Sequence, residues 1–178
     1  MKIRRERAAP SSETFSIPPI ADMLKMRLWG GFGERREVVD PFARNSTWGN
    51  WTNDLNPATH AKYHLKAEQF TKQMLNEKGF AFADAVLMDP PYSARQLSEC
   101  YQAIGLHASM EDTQTIRILM AVRHDLAAML KPGGIALSFG WNTTGFGPGL
   151  GFEIEEIMLV CHGGNHNDTI VTVERKRS

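Results

Sequence analysis

Apolar residues recur at two spacings along this chain, and the switches between them divide it into elements. Ile20, Met23, Leu24 and Leu28 return at intervals of three and four, so Ile17-Pro18-Pro19 opens a helix that Gly30-Gly31 closes. Glu37-Val38-Val39-Asp40 reads as a short buried strand stopped by Pro41. Trp51-Thr52-Asn53-Asp54 reads as a second, followed by a turn and Pro57, and residues 63–65 are a candidate third. Residues 67–76 return to helical spacing, with Gly79 as the stop. The run Ala83–Met88 reads as a buried strand that delivers Asp89. Ser93 with Gln96 has the spacing of a capping box for a helix to about Ile104, closed by Gly105. Ser109 with Asp112 is a second box. Ile116, Leu119, Met120, Leu126, Met129 and Leu130 then form an amphipathic helix, stopped by Lys131-Pro132-Gly133-Gly134. A strand over 135–139 and a glycine-rich stretch over 140–151 follow. Two β-rich runs, 154–160 and 169–173, flank Gly163-Gly164-Asn165 as a hairpin.

Strands alternating with helices predict an α/β fold with a mostly parallel sheet, and the terminal hairpin puts an antiparallel strand into it. A length of 178 residues suits one domain. Residues 1–14 hold Lys2, Arg4, Arg5, Arg7, Pro10 and Ser11-Ser12, and are expected to be a flexible basic arm before a single domain over 15–178. No apolar run approaches membrane-spanning length, and none follows the basic start, so neither a membrane partner nor a secretory signal is expected. Cys100 and Cys161 lack metal-type spacing and suit reduced thiols in the cytoplasm. A net charge of zero argues against a globally basic nucleic-acid binder. Basic residues nevertheless crowd both ends, with Arg175, Lys176 and Arg177 at the second. These ends read either as phosphate contacts or as solubilising tails.

The most informative residues are Asp89-Pro90-Pro91-Tyr92, at the end of the apolar run Ala85-Val86-Leu87-Met88. An exocyclic amino group on a nucleobase is a poor nucleophile, because its lone pair is delocalised into the ring. Acceptors on its two hydrogens favour the pyramidal geometry and the positive charge that develop during attack. A carboxylate (Asp89) and a backbone carbonyl (Pro90) can be those acceptors. The prolines keep the backbone extended and add no competing donor. Tyr92 offers a flat face for a base swung out of its stack. A plainer reading has Pro90-Pro91 ending a strand and Tyr92 as a half-buried aromatic. Asp40, Asp54 and Asp89 all fall at carboxyl ends of strands, where open α/β sheets bind ligands.

The order of these features resembles the S-adenosylmethionine-dependent amino-methyltransferases, specifically DNA adenine-N6 methyltransferases, and among them the short versions common in phage genomes. The resemblance covers roughly residues 15–175. Asp40-Pro41-Phe42-Ala43-Arg44-Asn45 looks like the Asp-Pro-Phe-x-Gly-x-Gly cofactor loop. Asn53-Asp54-Leu55-Asn56-Pro57 is similar to the second-strand acid segment, and Asp89-Pro90-Pro91-Tyr92 is the catalytic match. Leu130-Lys131-Pro132-Gly133-Gly134 is like the turn before the fifth strand. The resemblance implies a Rossmann-like class I fold that binds S-adenosyl-L-methionine. Asp40, Pro41, Phe42, Ala43 and Asn45 would surround the methionine end, and Asp54 with Leu55 would hold the ribose. Ile17-Pro18-Pro19-Ile20 is similar to an N-terminal cofactor-contact segment, and equally suits a simple helix start. Ser93, Arg95, His166, Asn167 and Asp168 are candidates for nucleic-acid contacts, each with a plainer reading as a cap, a solvated residue or hairpin-turn chemistry.

Four departures from the family pattern change the picture. Arg44 stands where the family has its first loop glycine, and Thr47 or a neighbour replaces the second. Only residues 41–50 separate the first strand from the second, so the first crossover must be very short. Lys66 stands where an acid would hold the cofactor's adenine. No segment of domain size remains for target recognition. Specificity is therefore expected from short loops, the basic ends, a second copy or a separate subunit. The expected acceptor is N6 of adenine in DNA, in host cytoplasm if the gene is phage-borne. RNA, guanine N2, cytosine N4 and a non-catalytic nucleic-acid-binding module remain alternatives. His60/His64 and His162/His166 are each four apart with no third ligand nearby, so no metal is expected. The run 145–151 lacks the Lys-Ser/Thr of a phosphate loop and reads as a flexible segment beside the active site, with a lid as one use for it. Trp141 and Asn142 either line the same crevice or pack in the core.

Overall fold

Central strands buried on both faces build one sheet with a core on each side. The computed structural model describes residues 1–29, 36–107 and 115–178. Its strands are β1 (Lys2–Arg7), β2 (Val38–Asp40), β3 (Trp51–Thr52), β4 (Ala83–Met88), β5 (Leu130–Gly140), β6 (Phe152–Cys161) and β7 (Thr169–Lys176). They lie in the order β1-β6-β7-β5-β4-β2-β3. β7 runs antiparallel to β5 and β6, and every other pairing is parallel. The helices are α1 (Pro18–Leu28), α2 (Ala67–Lys78), α3 (Ala94–Gln102) and α4 (Thr115–Met129). The helix stop at Gly30-Gly31 and the capping box at Ser109 and Asp112 lie outside the described residues.

The period of two along β4 assigns its side chains to opposite faces. Ala85 and Leu87 join Ile20, Met23, Leu24 and Leu28 of α1 in one core. Val86 and Met88 join Phe70 and Met74 of α2 and Val122, Leu126 and Met129 of α4 in the other. The third strand expected over 63–65 is reduced to a single bridge between Asn53 and Tyr63. The expected short crossover is present. β2 and β3 pair in parallel, Asp40 opposite Thr52, with no helix between them.

Two expectations are corrected. Lys2–Arg7 is not a flexible arm but the edge strand of the sheet, parallel to β6 with Lys2 opposite Glu156 and Arg7 opposite Cys161. Its charges concealed it, although a charged strand is well suited to an exposed edge. Arg4 Nε lies 2.8 Å from buried Glu156, a charge contact rather than an aligned hydrogen bond, and Arg5 Nε donates to Cys161 Sγ at 3.0 Å. The glycine-rich run is not a lid either. β6 runs parallel to β5, so the chain must return to the opposite edge of the sheet before β6 begins. Buried Glu174 pins that return, accepting from Phe146 N at 2.7 Å and Gly147 N at 2.8 Å, while Phe146 packs on Phe152. A Cβ on Gly145, whose φ is +53°, would sit 2.2 Å from the Glu174 carboxylate.

A register shift between Ile154 and Glu156 turns Glu155 and Glu156 toward the same guanidinium. Arg27 of α1 donates to Glu155 at 3.0 Å and to Glu156 at 2.6 Å. Glu156 thereby joins α1, β1 and β6, and removing it takes the buried carboxylate from two arginines that are mostly out of water, leaving Arg27 with Glu155 and Arg4 with Glu6 at 3.7 Å. Glu156→Ala is expected to cost about 3 kcal/mol in urea denaturation. Glu99→Ala, which breaks the exposed Arg95–Glu99 pair, should cost under about 0.5 kcal/mol.

Candidate active site at the carboxyl edge of the sheet

The carboxyl ends of the parallel strands meet around one crevice of about 930 Å³. β2 contributes Pro41 and Phe42, and β3 contributes Asn53, Asp54 and Leu55. β4 contributes Asp89, Pro90, Pro91 and Tyr92, β5 contributes Trp141, and β6 contributes His162. Asn45, His166 and Asn167 also line it. Three nucleic-acid candidates do not. Ser93 Oγ accepts from Gln96 N at 3.2 Å as a helix cap. Arg95 is exposed and paired with Glu99 at 2.8 Å. Asp168 accepts from His162 N at 3.1 Å. Among the described residues no three His, Cys, Asp or Glu side chains converge as a metal-binding set. No described helix is long and apolar enough to cross a membrane.

The tetrapeptide is held from both sides. Behind it, β4 ends in the core at Met88. Ahead of it, the Gln96 side chain reaches back from the first turn of α3 to accept from Tyr92 N at 2.7 Å. The expected capping box is thus present, with Gln96 gripping Tyr92 rather than the cap residue itself. The Tyr92 hydroxyl donates to Asp89 Oδ1. Its ring and that of Trp141 form a T-shaped pair, with centroids 5.6 Å apart and planes at 65°. Burial pushes the Asp89 carboxyl above its ordinary value, and hydrogen bonds from Tyr92 and Thr14 with the charge of Arg44 offset part of that rise. Burial, reinforced by Asp89's charge, also raises Tyr92, which therefore remains a neutral donor.

The other two acids differ. Asp40 is fully buried and lies beneath the lining rather than in it. Its Oδ1 accepts from Phe42 N at 3.1 Å, and its Oδ2 has no partner. Burial raises its pKa well above the usual carboxylate range. Ala43 is buried beside it, donating from N to Asn53 O at 2.8 Å. Asp54 lines the crevice with both oxygens engaged, Oδ1 by Asn56 N at 2.8 Å and Oδ2 by Arg44 N at 3.1 Å.

Sequence reasoning pointed to Ile17, in the segment similar to an N-terminal cofactor contact, but missed the rest of its wall. Pro10, Ser11, Ser12, Thr14 and Ile17 line the crevice. They reach it because β1 carries the chain along the far edge of the sheet, while Phe15 and Ile17 insert into the core. Arg44 fastens this segment. Its φ is +50°, so it takes the left-handed conformation that suits glycine, and its guanidinium donates to Ser12 O and lies 3.9 Å from Glu13. The glycine of the resembling loop was the one available signal that this position turns left-handed. Lys66 and Glu68 line the crevice as well, so an acid stands two residues from where one was expected.

No protein-family model and no curated protein sequence matches the chain. Solved structures do. The 1,6-didemethyltoxoflavin-N1-methyltransferase of Burkholderia thailandensis, with bound 1,6-didemethyltoxoflavin and S-adenosylhomocysteine, aligns at TM-score 0.56 and 13% identity over 90% of this chain and 77% of that one. PH0851 aligns at TM-score 0.55 and 14% identity over 86% and 45%. SMU.776 in complex with SAH aligns at 0.53 and 12% over 85% and 48%. The chain spans about half the length of the last two. With the mixed seven-stranded sheet described above, these likenesses establish the class I methyltransferase fold.

A left-handed backbone costs a non-glycine residue about 1–2 kcal/mol. Arg44→Ala keeps that cost and loses the contacts to Ser12 and Glu13, whereas Arg44→Gly loses only the contacts. The glycine variant is expected to be the more stable of the two by about 1 kcal/mol in thermal or urea unfolding. Both should be cleaved faster by protease within residues 8–14. Equal stability of the two would show that no left-handed strain resides at position 44.

Proposed function

We propose that this chain transfers a methyl group from S-adenosyl-L-methionine to the exocyclic N6 of adenine in DNA, on a base that is extruded or already single-stranded. The observation that carries this reading is the placement of Asp89 and Pro90 at the carboxyl end of β4, inside the crevice and beside two aromatic rings.

The residues present fit the cofactor. The crevice lies at the upper end of the range for small-molecule sites, roomy enough for a cofactor and a base together. Beneath the floor, Asp40 Oδ2 lacks a donor, which the ammonium of the methionine end would supply and so favour the carboxylate form. Each Asp54 oxygen accepts one backbone N–H and keeps lone-pair capacity for a ribose hydroxyl. Phe42, Asn45 and Leu55 complete that half. The bound cofactor supplies an electrophilic methyl on a sulfonium. Asp89 and the Pro90 carbonyl hold the amine, and Asp89, with its raised proton affinity, takes the proton that the amine gives up.

The charges around the crevice support extrusion of a single base. Asp54, Glu68, Asp89 and Glu99 line it against Arg44 and Lys66, so phosphates gain nothing by going in. They would stay outside, toward Arg7 at the carboxyl end of the edge strand. The same excess of acids favours one second reading, a free planar heterocyclic amine as acceptor. Specificity for a DNA sequence would come from the loops, a second copy of the chain or a separate subunit.

Labelled-methyl transfer onto single-stranded DNA, duplex DNA, RNA and free adenosine decides among these. DNA should be labelled at adenine N6, and Asp89→Ala should lose on the order of 10³-fold in rate. The working form of Asp89 is the carboxylate, and its pKa lies above the ordinary 3.8. The rate should therefore fall as pH is lowered through that raised value, at a higher pH than an unperturbed aspartate would give, and Asp89→Asn should erase the step. Absence of binding heat at millimolar cofactor would leave a non-catalytic module. Transfer to adenosine but not to any nucleic acid would favour the free heterocycle.

A further inference from the structure

Trp141 is the first residue beyond β5, at the strand end next to the one that carries Asp89. It is 42% exposed, yet it lines the crevice and pairs with Tyr92 in a T-shaped contact. Two other tryptophans in the chain are engaged structurally. Trp51 donates from Nε1 to Glu37 at 2.7 Å under the amines of Lys62 and Lys78, and Trp48 packs on the core and on Trp29. Tyr92 is engaged too. Its hydroxyl is committed to Asp89, its amide to Gln96, and its ring packs against the α1-side core. The tyrosine of the tetrapeptide is therefore built into the wall, and the large flat aromatic surface left open beside Asp89 belongs to Trp141.

Resting on the amine-methylating reading above, we propose that Trp141 is the stacking platform that binds the planar heteroaromatic acceptor, with Tyr92 as its brace. A flat apolar face at the mouth of a crevice accepts any base by its π-face, while selection of the amine falls to Asp89. The two tasks are divided between adjacent strand ends, with the T-shaped Tyr92–Trp141 contact fixing one relative to the other.

The chain has four tryptophans, so labelling with 5-fluorotryptophan gives four ¹⁹F resonances, and Trp141→Phe assigns the relevant one. The titrant is 2′-deoxyadenosine 5′-monophosphate, added with S-adenosylhomocysteine present so that the nucleotide does not occupy the cofactor half. The Trp141 resonance should shift saturably. Trp141→Ala should weaken nucleotide binding about ten-fold or more and Trp141→Phe about three-fold or less, while calorimetric binding of S-adenosylhomocysteine stays unchanged in both. In the transfer assay, KM should rise in the alanine variant more than kcat falls. No shift at millimolar nucleotide, or equal affinity of the alanine variant and the wild type, overturns the assignment. Nucleotide binding at Trp141 without any methyl transfer leaves the platform standing and sinks the proposed reaction. Methyl transfer with KM unchanged by Trp141→Ala does the reverse.

Discussion

Strand β4 is buried on both faces, and that double burial fixes where it ends. Ala85 and Leu87 belong to one core and Val86 and Met88 to the other, so a slip by one residue would exchange the two sets and place each against the wrong helices. Asp89 is thus held at the carboxyl edge by packing on two sides before any polar contact forms. Parallel pairing to β2 and β5 brings Asp40 and Trp141 to the same edge. The crevice follows from the sheet: its acids and aromatics are the first residues that emerge where the core ends.

What could be read from the sequence follows that logic. β4, α1, α2, the Ser93–Gln96 cap and the terminal hairpin were legible because each announces itself locally, by apolar period or by cap spacing. β1 was not, since Lys2, Arg4, Arg5 and Arg7 mimic a solvated tail, and their role depends on Glu156 and Cys161, more than 150 residues away. The anchoring of the glycine-rich run was illegible for the same reason, because Glu174 fixes it from a strand still to come. Of the candidate site, the tetrapeptide and the loops after β2 and β3 were visible as motifs. The wall formed by residues 10–17 and the exposure of Trp141 exist only once β1 and β5 are in place.

Arg44 shows how a departure from a pattern can be absorbed. A side chain in a loop that resembles a glycine loop has two consequences, backbone strain and bulk. The backbone takes the left-handed conformation anyway, with its N–H on Asp54. The bulk is directed away to the N-terminal segment, where the guanidinium meets Ser12 O and the Glu13 carboxylate. The cost of the conformation is offset by contacts that close one wall of the crevice. The short crossover from β2 to β3 makes this possible, because no helix stands where the N-terminal segment lies.

The bond between Tyr92 and Asp89 also bears on which groups the crevice could accept. A half-buried carboxylate gains from donors, and here the hydroxyls of Tyr92 and Thr14 supply them. An incoming amine that displaces the hydroxyl replaces one donor by another, so the exchange costs little. A carbonyl oxygen in the same place would leave the carboxylate facing an acceptor, a penalty of about 1–3 kcal/mol or more. The exocyclic groups of adenine, cytosine and guanine that carry hydrogens meet this condition, and the O4 of thymine does not. Discrimination at Asp89 is therefore between donors and acceptors. Choice among the amino bases falls to the shape of the space between Trp141, Tyr92 and the wall of residues 10–17.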